Sequence, residues 1–103
     1  MESKAPSTKR ALIMDPIDDV ATVIDAVAAG DTVSVRTKSG DTVDELVALE
    51  DIPRFHKICL APLATGQLAH KYGEVIGIMT ADVARGGYVH VHVIESVKTG
   101  VSA

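Results

Sequence analysis

The chain has no tryptophan, one phenylalanine, two tyrosines and one cysteine among its 103 residues. A single cysteine makes no internal disulfide, so a reducing cytoplasm is the compartment that fits. Cys59 lies in the apolar run Lys57-Ile58-Cys59-Leu60-Ala61 and reads as a small buried hydrophobe. No apolar stretch approaches the ~18 residues of a spanning helix. Met1 to Arg10 lack the apolar segment of a secretory signal. Basic charge is scarce as well: the formal net charge is −4 and no Lys/Arg run stands out. A general binder of nucleic-acid backbones needs the opposite balance. Also missing are a Ser or Cys nucleophile motif, a phosphate-cradling glycine loop, and a carboxylate cluster with metal spacing.

What the chain does hold is aliphatic. It is 47% hydrophobic, chiefly Val, Ile, Ala and Leu, enough for one modest core without metal or disulfide staples. Met1 to Arg10 read as a disordered lead-in. The folded domain is expected over residues 11–98, with a tail at 99–103. Arg10-Ala11-Leu12-Ile13-Met14 has strand length and is closed by Asp15-Pro16. Asp18 or Asp19 can cap a helix in which Val20, Val23, Ile24 and Val27 share one face and Gly30 ends it. One short N-terminal helix is therefore predicted.

Beyond Gly30 the signals are β. Thr32 to Thr37 alternates, Ser39-Gly40-Asp41 marks a turn, and Thr42 to Leu49 resumes as strand. Glu50-Asp51-Ile52-Pro53 reads as a polar corner with a proline, and further strands are predicted at His56 to Leu60 and Glu74 to Thr80, with a turn around Tyr72-Gly73. Gly77 suggests a bulge or a close backbone approach. One local pattern recurs: Val27-Ala28-Ala29-Gly30, Leu63-Ala64-Thr65-Gly66 and Val83-Ala84-Arg85-Gly86, each followed at once by strand-like residues. It reads as a short helical turn stopped by glycine in a left-handed conformation. The fold class is mainly β, irregular and rich in corners.

The stretch Tyr88-Val89-His90-Val91-His92-Val93-Ile94-Glu95 carries the strongest chemical signal. Period-two alternation places His90 and His92 on one face of a strand and the valines on the other. Two adjacent imidazoles can bind a metal or a carboxylate. An isolated His-x-His is a weak metal signal, and hydrogen-bonded histidines on an edge strand account for it equally well.

Several motifs together resemble the SAF-type domain of the altronate/galactarate dehydratase family. They are Ile52-Pro53-Arg54-Phe55-His56-Lys57-Ile58, Lys71-Tyr72-Gly73-Glu74-Val75-Ile76-Gly77, Thr80-Ala81-Asp82-Val83, Val89-His90-Val91-His92 and, near the start, Asp19-Val20-Ala21-Thr22. The resemblance covers Ile13 to Ser96 and implies a β-clip fold. It further implies the small subunit of a hydroxy-acid lyase, of the sugar-acid dehydratase or the sulfolactate sulfo-lyase type. Such a subunit is inactive alone and needs a large dehydratase-like catalytic subunit as partner. The family is dependent on a divalent metal, with iron the usual suggestion, held mainly by the large subunit. Carried over to this chain, His90, His92 and His56 are the catalytic candidates, and His90 and His92 are also the candidate metal ligands. Lys57 and Lys71 are candidates for holding an anionic hydroxy-acid substrate, and Glu95 for supporting it or orienting an imidazole. His70 has no special claim.

Two positions depart from the family pattern. Phe55 stands where the pattern has glycine before the His-Lys-Ile motif. Val93 stands where it has asparagine after the second histidine, which removes a polar group beside the imidazole pair. These departures motivate a second expectation, a stand-alone SAF-like module that binds a small acid or carbohydrate, or regulates a partner, without catalysis. An exposed strand edge would make a second copy of the chain a further candidate partner.

Overall fold

In the computed structural model, which describes residues 8–71, 73–90 and 93–96, the aliphatic runs form strands throughout, and no helix occurs among the described residues. The strands are β1 (Thr8–Leu12), β2 (Val20–Val23), β3 (Thr32–Arg36), β4 (Thr42–Val47), β5 (Lys57–Cys59), β6 (Leu68–Lys71), β7 (Glu74–Met79), β8 (Tyr88–Val89) and β9 (Ile94–Ser96). One sheet has the order β4-β3-β1-β2-β5-β8 and the other β6-β7-β9. Only β1 and β3 run parallel; the other pairs are antiparallel. The mainly β expectation holds. β1 already begins at Thr8, which pairs with Thr32, so the order reaches into the stretch read as a lead-in.

The predicted N-terminal helix is instead β2. Val20, Thr22, Val23 and Ile24 are β-branched, stiff at χ1, and suited to a pleated surface more than to a helix. The aspartates that would cap it have other work. Asp18 accepts from the backbone N–H of Gly73 at 2.8 Å and of Asp15 at 3.1 Å, while Asp19 accepts from His70. Both faces of β2 are covered: Val20 enters one core with Cys59, Leu63, Ala69, Met79, Val83 and Val89. Ala21 and Val23 enter another with Ala11, Val27, Val33, Val35, Ile52 and Ile58. A strand buried on both sides shows no alternation, and its apolar residues fall at helical spacing by coincidence.

The three recurring corners are β-turns of type II rather than helical turns. In each, the N–H after the glycine donates to the carbonyl three residues back: Asp31 to Ala28, Gln67 to Ala64 and Gly87 to Ala84, all at 2.9 Å. The glycines have φ of 94°, 88° and 91°, which this turn requires at its third position. The structure adds a fourth corner, Ile52-Pro53-Arg54-Phe55-His56, where His56 N–H donates to Pro53 at 3.0 Å and Phe55 holds φ at 69°. Phenylalanine in this region costs about 1–2 kcal/mol.

The corners work in reciprocal pairs. Val27 and Ile52 exchange backbone hydrogen bonds at 2.9 and 2.8 Å, as Leu63 and Val83 do. Each turn then clamps the strand leading into its partner. Gly30 donates to Ala48, and Phe55 to Val23; in the second pair Gly66 donates to Met79, and Gly86 to Cys59. The fourth turn in chain order, at Arg85-Gly86, also covers the free side of the end strand β4. Arg85 donates to the carbonyl of Glu45 at 3.1 Å, and Leu49 N–H donates to Gly86.

Candidate functional site

The ribbon of β5 and β8 positions most of the expected residues. Lys57 faces Val89 and Ile58 faces Tyr88; one register step further places His56 opposite His90. Alternation along both strands sets His56, Ile58, Tyr88 and His90 on one face, and Lys57, Cys59 and Val89 on the other. Tyr88 joins the two imidazoles. Its hydroxyl lies 2.6 Å from His56 Nδ1 with the rings edge-on at 66°, and its ring centroid is 4.6 Å from that of His90. Tyr88 packs against the first core, so the row is anchored from below, while His56 is exposed.

Two cations stand near the other face. Lys57 is half-buried, paired across to Thr22, and burial together with the Lys71 ammonium pushes its pKa down. Lys71 closes β6 opposite Glu74. Two ammonium groups near enough to repel each other are relieved by an anion between them. Cys59 next door is buried, its thiol pushed up to about 11 by burial, and donates to the Ala61 carbonyl at 2.9 Å. It is a packing residue with no thiolate to offer.

The stretch read as one strand is interrupted. β8 stops at Val89, the His90 carbonyl accepts from Val93 N–H at 2.9 Å, and β9 resumes at Ile94 in the other sheet. The strand that carries Tyr88 and Val89 therefore does not run on unbroken to Ile94. His92 lies outside the described residues. Glu95 stands in β9 opposite Ile78, exposed on the three-stranded sheet.

Two partners were not legible. Tyr88 lies at alternate spacing from His90, but nothing local marks its contact with His56. His70 is held by Asp19, whose Oδ2 lies 2.9 Å from His70 Nδ1 and accepts the His70 backbone N–H at 3.0 Å. These residues are far apart in the chain and share no motif. Among the described residues no group of three or more His, Cys, Asp and Glu side chains could hold a metal. Two imidazoles, one already bonded to a phenol, make at most part of a metal site.

A cavity of about 620 Å³ lies elsewhere, lined by Ile13, Val43, Leu60 and Ala61 with Asp44 and Arg85 at one side. Arg85 is fully engaged there: it donates to both Asp44 oxygens at 2.7 and 2.8 Å and to the carbonyls of Leu60 and Glu45. Among the described residues, none of the candidates lines this cavity. No helix among the described residues is long and apolar enough to cross a membrane.

Residues 9–97 match the family described as Altronate/galactarate dehydratase SAF domain. The chain is 36% identical to "Altronate dehydratase" of Escherichia coli (strain K12) over 76 residues, which is 74% of this chain and 14% of that protein. It is 47% identical to "(2R)-sulfolactate sulfo-lyase subunit alpha" of Paracoccus pantotrophus over 47 residues, 46% of this chain and 70% of that subunit. The chain thus spans a small fraction of the first relative and most of the second.

Proposed function

Because the chain belongs to the altronate/galactarate dehydratase SAF-domain family, we propose that it is the small subunit of a hydroxy-acid lyase, one wall of a site that a large catalytic chain completes. The observation that carries this reading is the row of His56, Tyr88 and His90 at one end of the β5–β8 ribbon, with Tyr88 in contact with both imidazoles. Two further supports come from the relatives: one is itself named a subunit, and the other is a much longer chain of which this domain covers 14%.

Elimination from a hydroxy acid needs a base at the carbon beside the carboxylate and an acid for the departing group. His56 and Tyr88, 2.6 Å apart, form a proton-transferring pair that can accept one proton and return another. Lys57 and Lys71 remain the candidates for an anionic group, but toward the opposite face of the ribbon from His56 and Tyr88. His90 presents its imidazole beside Tyr88. His92 and Glu95 complete the candidate set. A divalent ion, iron first, would supply Lewis-acid stabilisation of an enolate-like intermediate. The imidazoles described in this chain do not suffice to hold it, so it would be held mainly by the large chain.

The test is recovery of the tagged full chain from its own cells. A large dehydratase-like chain should come with it, and the complex should release water or sulfite from a hydroxy acid. His56→Ala and His90→Ala should each lower kcat by ~100-fold or more, with His92→Ala and Glu95→Gln assayed in the same series. Full activity in both the His56 and His90 variants, or recovery of the small chain alone, overturns the reading.

A further inference from the structure

Four corners share one backbone design, and only one of them carries a side chain at the third position. Gly30, Gly66 and Gly86 adopt the left-handed conformation at no cost, whereas Phe55 adopts it at φ 69° and is the one non-glycine residue to do so among the described residues. Backbone hydrogen bonds from Phe55 to Val23 and from His56 to Pro53 hold the corner, and they do not involve the ring. The Phe55 ring is 62% exposed and belongs to neither core. Its aromatic neighbourhood is a single cation, the Arg54 guanidinium, 4.7 Å from the ring centroid. Arg54 is itself fixed, because its Nε donates to the Ile24 carbonyl at 3.1 Å. The chain therefore holds its sole phenylalanine in water, in a strained backbone, with a charged side chain pinned across one face.

Strain of this kind, at a side chain that lies outside both cores, points to a use outside the chain. The location narrows that use. His56 follows Phe55 directly, so the corner that carries the ring leads straight into the residue bonded to Tyr88. A rigid aromatic with an arginine beside it is also the composition most enriched at the energetic centre of protein interfaces.

We infer that Phe55 is the anchor by which this chain docks on its catalytic partner: the ring enters an apolar pocket of the large chain, and the Arg54 guanidinium meets a carboxylate at that pocket's lip. The inference rests on the reading of the chain as a small subunit and names the contact that closes the site beside His56. The carboxylate follows from charge complementarity, since covering the ring also desolvates the guanidinium stacked on it.

Two variants of the full chain test it, Phe55→Gly and Phe55→Ala. For the isolated chain, Phe55→Gly should melt at a higher temperature than the parent, because glycine relieves the backbone. Against the large chain recovered with the parent, both variants should bind about 30-fold more weakly or worse. The anchor is overturned if both bind within about threefold of the parent, or if Phe55→Gly melts lower, which would make the ring an internal support. The two readings fail separately. An active lyase complex that assembles equally well with Phe55→Gly removes the anchor and leaves the lyase. A complex without lyase activity that nevertheless releases both variants removes the lyase and leaves the anchor. Recovery of the chain alone removes both.

Discussion

Tyr88 Oη lies 2.6 Å from His56 Nδ1, a hydrogen bond that joins β8 to the residue entering β5. It fixes the His56 ring and sets which nitrogen is left to act. Tyr88→Phe keeps the packing against the first core and removes only the hydroxyl. Stability should fall by about 1 kcal/mol, while activity of the proposed complex should fall much further. Chemical denaturation of the isolated chain and nitrogen shifts of the His56 ring separate the two effects. An unchanged His56 spectrum would show that the bond does not orient the ring.

Lys57 gives a pH prediction with a definite sign. Burial and Lys71 lower its pKa in the folded chain, so the folded form binds fewer protons than the unfolded form in an alkaline window that closes at the unfolded value near ~10.4. Stability attributable to Lys57 rises with pH through that window and is lowest below it, where both forms are charged. Lys57→Met should raise the denaturation midpoint at neutral pH and abolish the rise. Cys59 acts in the opposite direction, because its thiol is raised to about 11 in the folded chain. The difference between parent and variant isolates Lys57, and curves that run parallel through pH 10 would contradict the assignment.

The corner glycines are not equivalent. A methyl group at Gly30 or Gly66 meets nothing within 4 Å, so alanine there adds only backbone strain, about 1–2 kcal/mol. At Gly86 it would stand 2.3 Å from the Val47 carbonyl oxygen as well. Gly86→Ala should cost on the order of 3–5 kcal/mol. Gly77 has no positive φ, yet a Cβ there would lie 2.5 Å from the Glu95 oxygen. Gly77→Ala should therefore loosen β7 from β9 and leave the six-stranded sheet intact. Melting temperatures give the ranking, and amide exchange of β7 and β9 gives the location.

Arg85 makes four side-chain hydrogen bonds in the fold and carries no catalytic assignment. Arg85→Lys keeps the charge but loses the bidentate grip on Asp44 and at least one carbonyl. A loss on the order of 1 kcal/mol in urea unfolding is expected. Asp44, held below its ordinary pKa chiefly by Arg85, stabilises the chain above the usual carboxylate value and loses that contribution as pH falls through its folded pKa. Arg85→Met should flatten this acid limb.

Much of the architecture was legible because it depends on local chemistry. Alternation marks β3, and the glycine corners announce themselves by composition. The close approach at Gly77 follows from a glycine within a strand. The failures share a physical cause, which is that the deciding partner is distant in sequence. β2 imitates a helix because its neighbours bury both of its faces. A corner was legible at Glu50 to Pro53, but its kinship with the other three was hidden because Phe55 occupies the position that glycine marks elsewhere, and only the backbone shows that Ile52 to His56 repeats the design. Tyr88 and His56, like Asp19 and His70, meet through sheet registry that no motif encodes. The break after Val89 is set by the bond between His90 and Val93, which moves the chain into another sheet where alternation implied continuity.

The turn at Arg85 and Gly86 has a consequence for how copies of this chain meet one another. An end strand ordinarily offers its amides and carbonyls as a template on which another copy can polymerise. Here the Glu45 carbonyl is taken by a guanidinium, the Val47 carbonyl lies under a bend, and the Leu49 amide is spent on Gly86. Along this stretch of β4, a passing copy finds a closed seam.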